Sequence, residues 1–384
     1  MIRAIAAILS AGLLAACAGP GGTLTGADGR PVSADDVLDA SPLSDESIDA
    51  AFADVDFLAV SSEMNAFLDE FVDRDGTENE RLGQLVLAVV GGDRFLLDYD
   101  DSTRTAADTF AQRRGNCLSF TTMFVAMARE LGLQARYQEI EIPPDWSMRG
   151  QSFLISQHVN ALVDIRNALS RVIDFNTYEF RVPDEGRVIS DRTARAHYFS
   201  NLGVEHMLAG DSLRAYAYLR QSLLEDRRFA PAWVNLGILH RREGLERFAE
   251  AAYLEALELA PENLMAMSNL ADLYQQAGRE DLASYYLDRV QRHRMSNPYF
   301  RYQQANVAFS EGDYDKAISN LKYAIRKRPD EDKFYYLMSM SYLMSGQKNE
   351  ALHWMKQAEE LARRGSDRQR YHHKLDLLMS RNSG

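Results

Sequence analysis

The chain is poor in cysteine, with two in 384 residues, Cys17 and Cys117. It holds no closely spaced cysteine pair and no His-Glu-x-x-His, so the patterns that bind zinc are absent. There is no glycine-rich loop to cradle a phosphate. Two acidic groups, Asp98, Asp100 and Asp101, then Asp73, Asp75, Glu78 and Glu80, complete no calcium pattern. No metal or other cofactor is expected. No segment reaches 18 apolar residues, so none reads as a membrane-spanning helix. Positive charge is also scarce in the front half. The net charge is -13, and residues 26–110 carry 21 acidic against 5 basic side chains. That balance excludes nucleic acid as a partner of the front half.

The first segment carries one positive charge, Arg3, then an apolar stretch over residues 4–14 that is too short to span a bilayer. It has the shape of a secretory signal. It ends Leu14-Ala15-Ala16-Cys17, which resembles the lipobox of bacterial lipoproteins. The resemblance implies cleavage before Cys17 and lipidation of that residue, with residues 1–17 as the signal peptide. Ala18 stands where an aspartate would imply inner-membrane retention. The expected location is therefore the periplasmic face of a Gram-negative outer membrane, held through lipidated Cys17. Residues 18–43 are rich in Gly, Pro, Ser and Asp and read as a flexible tether. With Cys17 lipidated, Cys117 has no intramolecular disulfide partner, and a thiol kept in an oxidising compartment is either buried or used.

The back half is periodic. Glycines fall at 210, 244, 278, 312 and 346, and alanines at 215, 249, 283, 317 and 351, each series with a 34-residue period. The glycine is expected to end a helix in a conformation that Cβ disfavours. Small residues at Gly203, Gly237, Ala271, Ala305 and Ser339 let two helices approach closely. One such unit cannot bury its apolar face alone, so the units stack. The period and marks such as Trp233, Leu236, Gly237, Tyr253, Ala256 and Pro261 resemble the tetratricopeptide repeat. Five repeats are expected over residues 193–365, with a capping helix and tail over 366–384. The resemblance implies a surface that binds a protein or peptide, with His240, Tyr274, Arg301 and Tyr302 as candidate lining residues.

In the middle, helices are expected over residues 44–90, 105–113 and 118–131, the last strongly apolar. Cys117 would stand at the N-terminus of that helix, where the helix end favours negative charge and its backbone N–H groups can hold an oxyanion. Alternation over 135–142 reads as a strand, 152–155 with 158–165 as a hairpin, and 172–175 as a further strand. Trp146, after the Pro143-Pro144 turn, is a candidate wall of a substrate cleft. Adjacent antiparallel strands would set His158 beside Asp174. Asp174 would then orient His158, and His158 would take the Cys117 proton.

The motifs Arg-Arg-Gly-Asn-Cys-Leu-Ser-Phe (113–120), Gln-His-Val-Asn (157–160) and Ile-Asp-Phe-Asn (173–176) resemble those of the transglutaminase-like superfamily, whose papain-like members carry Cys, His and Asp in that order. The resemblance implies Cys117 as nucleophile, His158 as general base and Asp174 as the residue orienting His158, with Asn116, Asn160 and Asn176 as neighbours of the triad. It implies an α+β transglutaminase-like domain over 44–192, with a helical part over 44–104 and a catalytic core over 105–192. An all-α tetratricopeptide-repeat solenoid follows. The expected function is hydrolytic thiol acyl-enzyme chemistry on peptide or carboxamide bonds, in a chain that also binds protein. The alternative is a lipid-anchored interaction scaffold without turnover.

Overall fold

A computed structural model describes residues 31–44, 55–91, 95–141, 157–166, 168–175, 186–362 and 365–380. Cys17, the turn bearing Trp146, the segment 152–155 and Asn176 lie outside the described residues. Among the described residues no helix is long and apolar enough to cross a membrane.

The front domain begins with α2 (Ser62–Phe71) and α3 (Glu78–Val89), following α1 (Ala34–Asp39). Ser61 caps α2, and Thr77 caps α3 through a reciprocal box with Glu80, which satisfies the open amides of each first turn. Part of the acidic cluster expected in this stretch is thus spent on capping. Next come β1 (Asp98–Tyr99), α4 (Ala106–Gln112), β2 (Arg114–Gly115) and α5 (Cys117–Glu130). The short strands β1 and β2 pair in parallel. Helix α5 is buried continuously from Leu118 to Ala128, as a helix apolar on nearly all sides must be.

Helix α5 packs on a four-stranded antiparallel sheet, β3 (Gln134–Glu141), β4 (Gln157–Asp164), β5 (Arg171–Ile173) and β6 (Arg187–Ile189), in the order β5-β4-β3-β6. Of the expected hairpin, the strand over 158–165 is present as β4, while its partner 152–155 lies outside the described residues. Strand β4 pairs with β3 along its full length, from Gln134 opposite Asp164 to Glu141 opposite Gln157, and with β5 on its other side. Met64, Leu68, Leu85, Met123, Phe124, Tyr137, Ala161 and Val163 form the shared core.

Five helical hairpins follow: α6 (Asp191–Leu208) with α7 (Ser212–Glu225), α8 (Ala230–Arg242) with α9 (Glu246–Leu259), α10 (Leu264–Gln276) with α11 (Glu280–Ser296), α12 (Pro298–Ser310) with α13 (Tyr314–Lys327), and α14 (Asp332–Met344) with α15 (Lys348–Leu361). The five periodic glycines all have φ between 68° and 83°, the left-handed turn their spacing called for. The periodic alanines 215, 249, 283, 317 and 351 are buried. At the close approach in the second unit, a Cβ on Gly237 would sit 2.3 Å from the Tyr253 ring. The last unit uses Ser339 there, and its hydroxyl donates to Ala351 O at 2.7 Å. Helix α16 (Gly365–Ser380) covers the end of the stack with Tyr371 and Leu375.

The tether expected over 18–43 is corrected at its far end. Residues 34–39 form α1, capped by Ser33, and lie on the first two hairpins. Val37 and Leu38 enter the repeat core. Tyr216 Oη donates to the carbonyls of Val37 and Leu38 at 3.0 and 2.7 Å, and Arg220 Nε donates to Leu38 O at 2.8 Å. Ser41 Oγ meets His240 Nε2 at 2.8 Å. His240 is therefore fully buried, and Tyr274 is buried with its hydroxyl on Glu250; neither lines an open face. Composition gave no sign of this strap because two apolar anchors and backbone carbonyls do the binding.

Helix α6 joins the two domains. Tyr198 and Phe199 pack in the front core, and Ala196 and Met207 pack in the repeat core. Arg129 on α5 makes two hydrogen bonds to Asp191 at 2.7 and 2.8 Å, and Glu205 accepts from Thr103 N at 2.7 Å. Replacing Gly237 with Ala should cost about 1–3 kcal/mol, since the Tyr253 ring has no room to withdraw. Equilibrium urea unfolding should show the loss, and adding Tyr253→Leu should recover part of it.

Candidate active site

The position of Cys117 is built by polar contacts before it. Asn116 caps α5: its Oδ1 accepts from Ser119 N at 2.9 Å, and its Nδ2 donates to Thr103 Oγ1 at 2.8 Å. Ser119 Oγ accepts from Arg104 N at 2.9 Å. Arg104 in turn makes two hydrogen bonds to Asp100, at 2.7 and 2.9 Å. Hydrogen bonding from Arg104 is the largest influence holding the Asp100 carboxyl below its ordinary value. Gly115 fits because any Cβ there would lie 2.6 Å from that of Ser119. The loop that delivers Cys117 is thus fixed from both sides. Cys117 itself is the first residue of α5 and is partly exposed.

Two contacts bring the sheet to this helix end. Thr121 Oγ1 donates to Val159 O at 2.9 Å, tying α5 to β4 one residue from His158. Phe175 packs on Phe120 and Phe124 with ring centroids 5.9 and 5.8 Å away. That contact draws the end of β5 onto α5 and sets Asp174. In the β4–β5 register Ala161 faces Ile173, so the next pair is Asn160 with Asp174, and His158 lies on the diagonal. Thr121 and Phe175 were not among the candidates from sequence. Phe175 stood inside a recognised motif, but nothing in the spacing marked it as the packing contact.

The structure brings Cys117, His158 and Asp174 together. His158 Nε2 is 2.6 Å from Asp174 Oδ1, and the imidazole is within hydrogen-bonding reach of Cys117. The His158 side chain is 3% exposed and that of Asp174 27%. Burial pulls the His158 pKa down, but the hydrogen bonds to Asp174 and Cys117 and their charges outweigh it. The ring is pushed up to about 9, so the site favours the imidazolium form of His158.

Asn116 acts as the cap and touches the nucleophile loop rather than the imidazole. Asn160 is fully buried beside these three side chains, yet among the described residues its amide atoms have no hydrogen-bond partner, and neither has Oε1 of Gln138 directly opposite. His197 is taken up by Glu139, at 3.4 Å, and His206 stacks on Tyr218. Among the described residues no three His, Cys, Asp or Glu side chains gather to hold a metal ion.

Comparison with known proteins agrees with this division of the chain. Residues 66–201 match the model of the transglutaminase-like superfamily. Residues 230–263 and 308–375 match tetratricopeptide-repeat models. The chain therefore carries a transglutaminase-like domain followed by a helical tetratricopeptide-repeat region. Anaphase-promoting complex subunit 3 of Schizosaccharomyces pombe is 23% identical over 150 residues, 39% of this chain and 23% of that protein. The uncharacterized protein ycf37 of Pyropia yezoensis is 23% identical over 146 residues, 38% of this chain and 80% of that protein. The chain thus spans under a quarter of the yeast relative. Among solved structures, the MamA protein is 21% identical with a TM-score of 0.25, covering 44% of this chain and 91% of its own. YrrB, described as a tetratricopeptide-repeat protein with an unusual peptide-binding site, is 19% identical with a TM-score of 0.25, covering 46% and 90%. Scores this low assign nothing to the chain beyond what the family models give.

The raised His158 pKa gives a pH signature. His158 keeps its proton up to about 9 when folded, against an ordinary value of 6.5. Its stabilising contribution is therefore complete below pH 6.5 and is lost as pH rises through 9. The difference in urea midpoint between wild type and Asp174→Asn should be largest below pH 6.5 and shrink toward pH 9. A difference that grows with pH would contradict the assigned proton.

Proposed function

We propose that this chain is an envelope-anchored cysteine hydrolase that cleaves peptide or carboxamide bonds in protein substrates docked through its repeats. The observation that carries the proposal is the short His158–Asp174 contact with Cys117 on the same imidazole. The Cys117 sulfur attacks the substrate carbonyl carbon, and the electron pair of the C=O bond moves to oxygen. The Asn116 cap takes the Ser119 amide, and the first two amides of α5, those of Cys117 and Leu118, would receive that oxyanion. With Nε2 held by Asp174, the other ring nitrogen of His158 carries the proton that goes to the departing amine. A thioester on Cys117 remains. His158, now neutral, takes a proton from water, the hydroxide adds to the thioester, and the acid leaves as the thiolate and imidazolium pair returns. Hydrolysis is preferred to amine transfer because water needs no acceptor site of its own.

The fixed loop before Cys117 supports this reading, since a nucleophile must be held in register with its base. Tetratricopeptide repeats support protein binding as the second role. Anchoring rests on the signal-like segment ending at Cys17. The assay is a thiol alkylating probe on the chain from Ala18 onward, followed by incubation with envelope proteins. Cys117 should label at least about tenfold faster than in the denatured chain, and His158→Ala should abolish the difference. Cleavage of an envelope protein should vanish in Cys117→Ala. Slow labelling unaffected by His158→Ala would instead leave a repeat scaffold without turnover. Expressed in a Gram-negative host, wild type should sediment with membranes and Cys17→Ser should remain in the supernatant; equal sedimentation would remove the anchor.

A further inference from the structure

The repeat core is not continuous. One apolar cluster takes the strap and the hairpins through α11, ending at Val290; a second begins at Ala305 and runs through α15 and α16. On the fourth hairpin, where the second cluster begins, lies a cavity of about 500 Å³ whose walls include Arg301 of α12 and Lys322, Tyr323, Arg326 and Asp315 of α13, above the buried side chain of Ile318. That size is typical of a ligand cleft.

Arg301 at the start of α12 donates to Met295 O at 2.8 Å and to Asn320 Oδ1 at 3.0 Å. Its guanidinium also stands 4.7 Å from the centre of the Tyr323 ring, and that of Arg326 stands 5.2 Å from it. Tyr323 Oη donates to Ser296 O at 3.2 Å, so the ring is held from the far end of α11. Among the described residues none of the three cations is joined to a carboxylate by an ion pair; the one acid in the wall, Asp315, lies nearly two turns from Lys322 on the same helix. Three uncompensated cations in one cavity disfavour the folded chain by mutual repulsion, and they stand out in a protein of net charge -13.

We propose that this cavity is the docking site for an acidic segment of a partner protein. Lys322 and Arg326 are one helical turn apart, about 6 Å. Alternate side chains of an extended peptide are about 6.6 Å apart. Two carboxylates of such a peptide can thus meet the two cations in turn, while the guanidinium of Arg301, held by its carbonyl and amide partners, offers a third contact. A single phosphate would need donors converging on one point, whereas Lys322 and Arg326 are spread along α13 and Arg301 stands across from them on α12. The proposal rests on the docking role given to the repeats above and is independent of the thiol chemistry.

The test uses the full chain in detergent and a fluorescent ten-residue poly-glutamate peptide, read by anisotropy at moderate salt. Wild type should bind it, the glutamine counterpart should not bind, and K322E/R326E should weaken binding by at least about tenfold. Lys327→Glu, on the same helix but outside the cavity, should change it little. Inorganic phosphate or a short oligonucleotide competing as well as the peptide would overturn the proposal in favour of a general anion site. Equal weakening by Lys327→Glu would overturn it in favour of diffuse charge. If K322E/R326E still captures the same envelope proteins as wild type while losing poly-glutamate, the repeats dock partners elsewhere and only this site fails.

Discussion

Helix α6 constrains everything on either side of it. It supplies Tyr198 and Phe199 to the core under the sheet and Ala196 and Met207 to the repeat stack. A helix is stiff on this length scale, so two cores that share one cannot reorient without unpacking one of them. The polar ties reinforce the arrangement: Arg129 with Asp191, Thr103 with Glu205, and Glu139 with Arg187 and His197. Burial alone would raise the Glu139 carboxyl, and the hydrogen bonds and charges of His197 and Arg187 outweigh it and hold it below its ordinary value. This buried acid is thereby kept charged by partners from β6 and α6 together. The transglutaminase-like domain and the solenoid are joined through this helix, and under the proposed function the repeats would set where a bound chain lies relative to Cys117.

The candidate site follows the same economy of shared residues. Thr103 donates its amide to Glu205 on α6 and accepts from Asn116 at the nucleophile. Asn116 in turn caps the helix that Cys117 begins. A disturbance at the α6 interface therefore reaches the thiol through two hydrogen bonds and one loop. On the sheet side the positions of His158 and Asp174 depend on a threonine hydroxyl and a phenylalanine ring, not on the length of the connecting loops.

Much of this was legible beforehand because the chemistry repeats or is chemically scarce. Five glycines at one spacing can only be read as five equivalent turns, and all five have the positive φ that the reading requires. A single usable cysteine followed by one histidine and one aspartate on apolar runs left few ways to assemble a thiol site. What escaped reading was what depends on distant partners. The strap at residues 33–43 has too few apolar residues to announce an interface, and its hydrogen bonds use backbone carbonyls that every sequence has. His240 looked like a surface residue because its partner, Ser41, lies 199 residues away. Strand β4 took β3 as its long neighbour because eight residue pairs were available there, and local spacing does not encode that choice. The shared use of α6 left no periodic trace.

The strap also fixes a leash. Fifteen residues lie between Cys17 and Ser33, where the chain is seized by the repeats, and the sixteen steps from one to the other span at most about 55 Å when fully extended. Under the proposed lipidation of Cys17, the first two hairpins would be the part of the molecule moored to the bilayer, and the thiol domain would ride on them through α6. Under the proposed anchoring and activity, that radius sets how far from the membrane a scissile bond can lie, so geometry near the lipid surface would select among substrates before any pocket does.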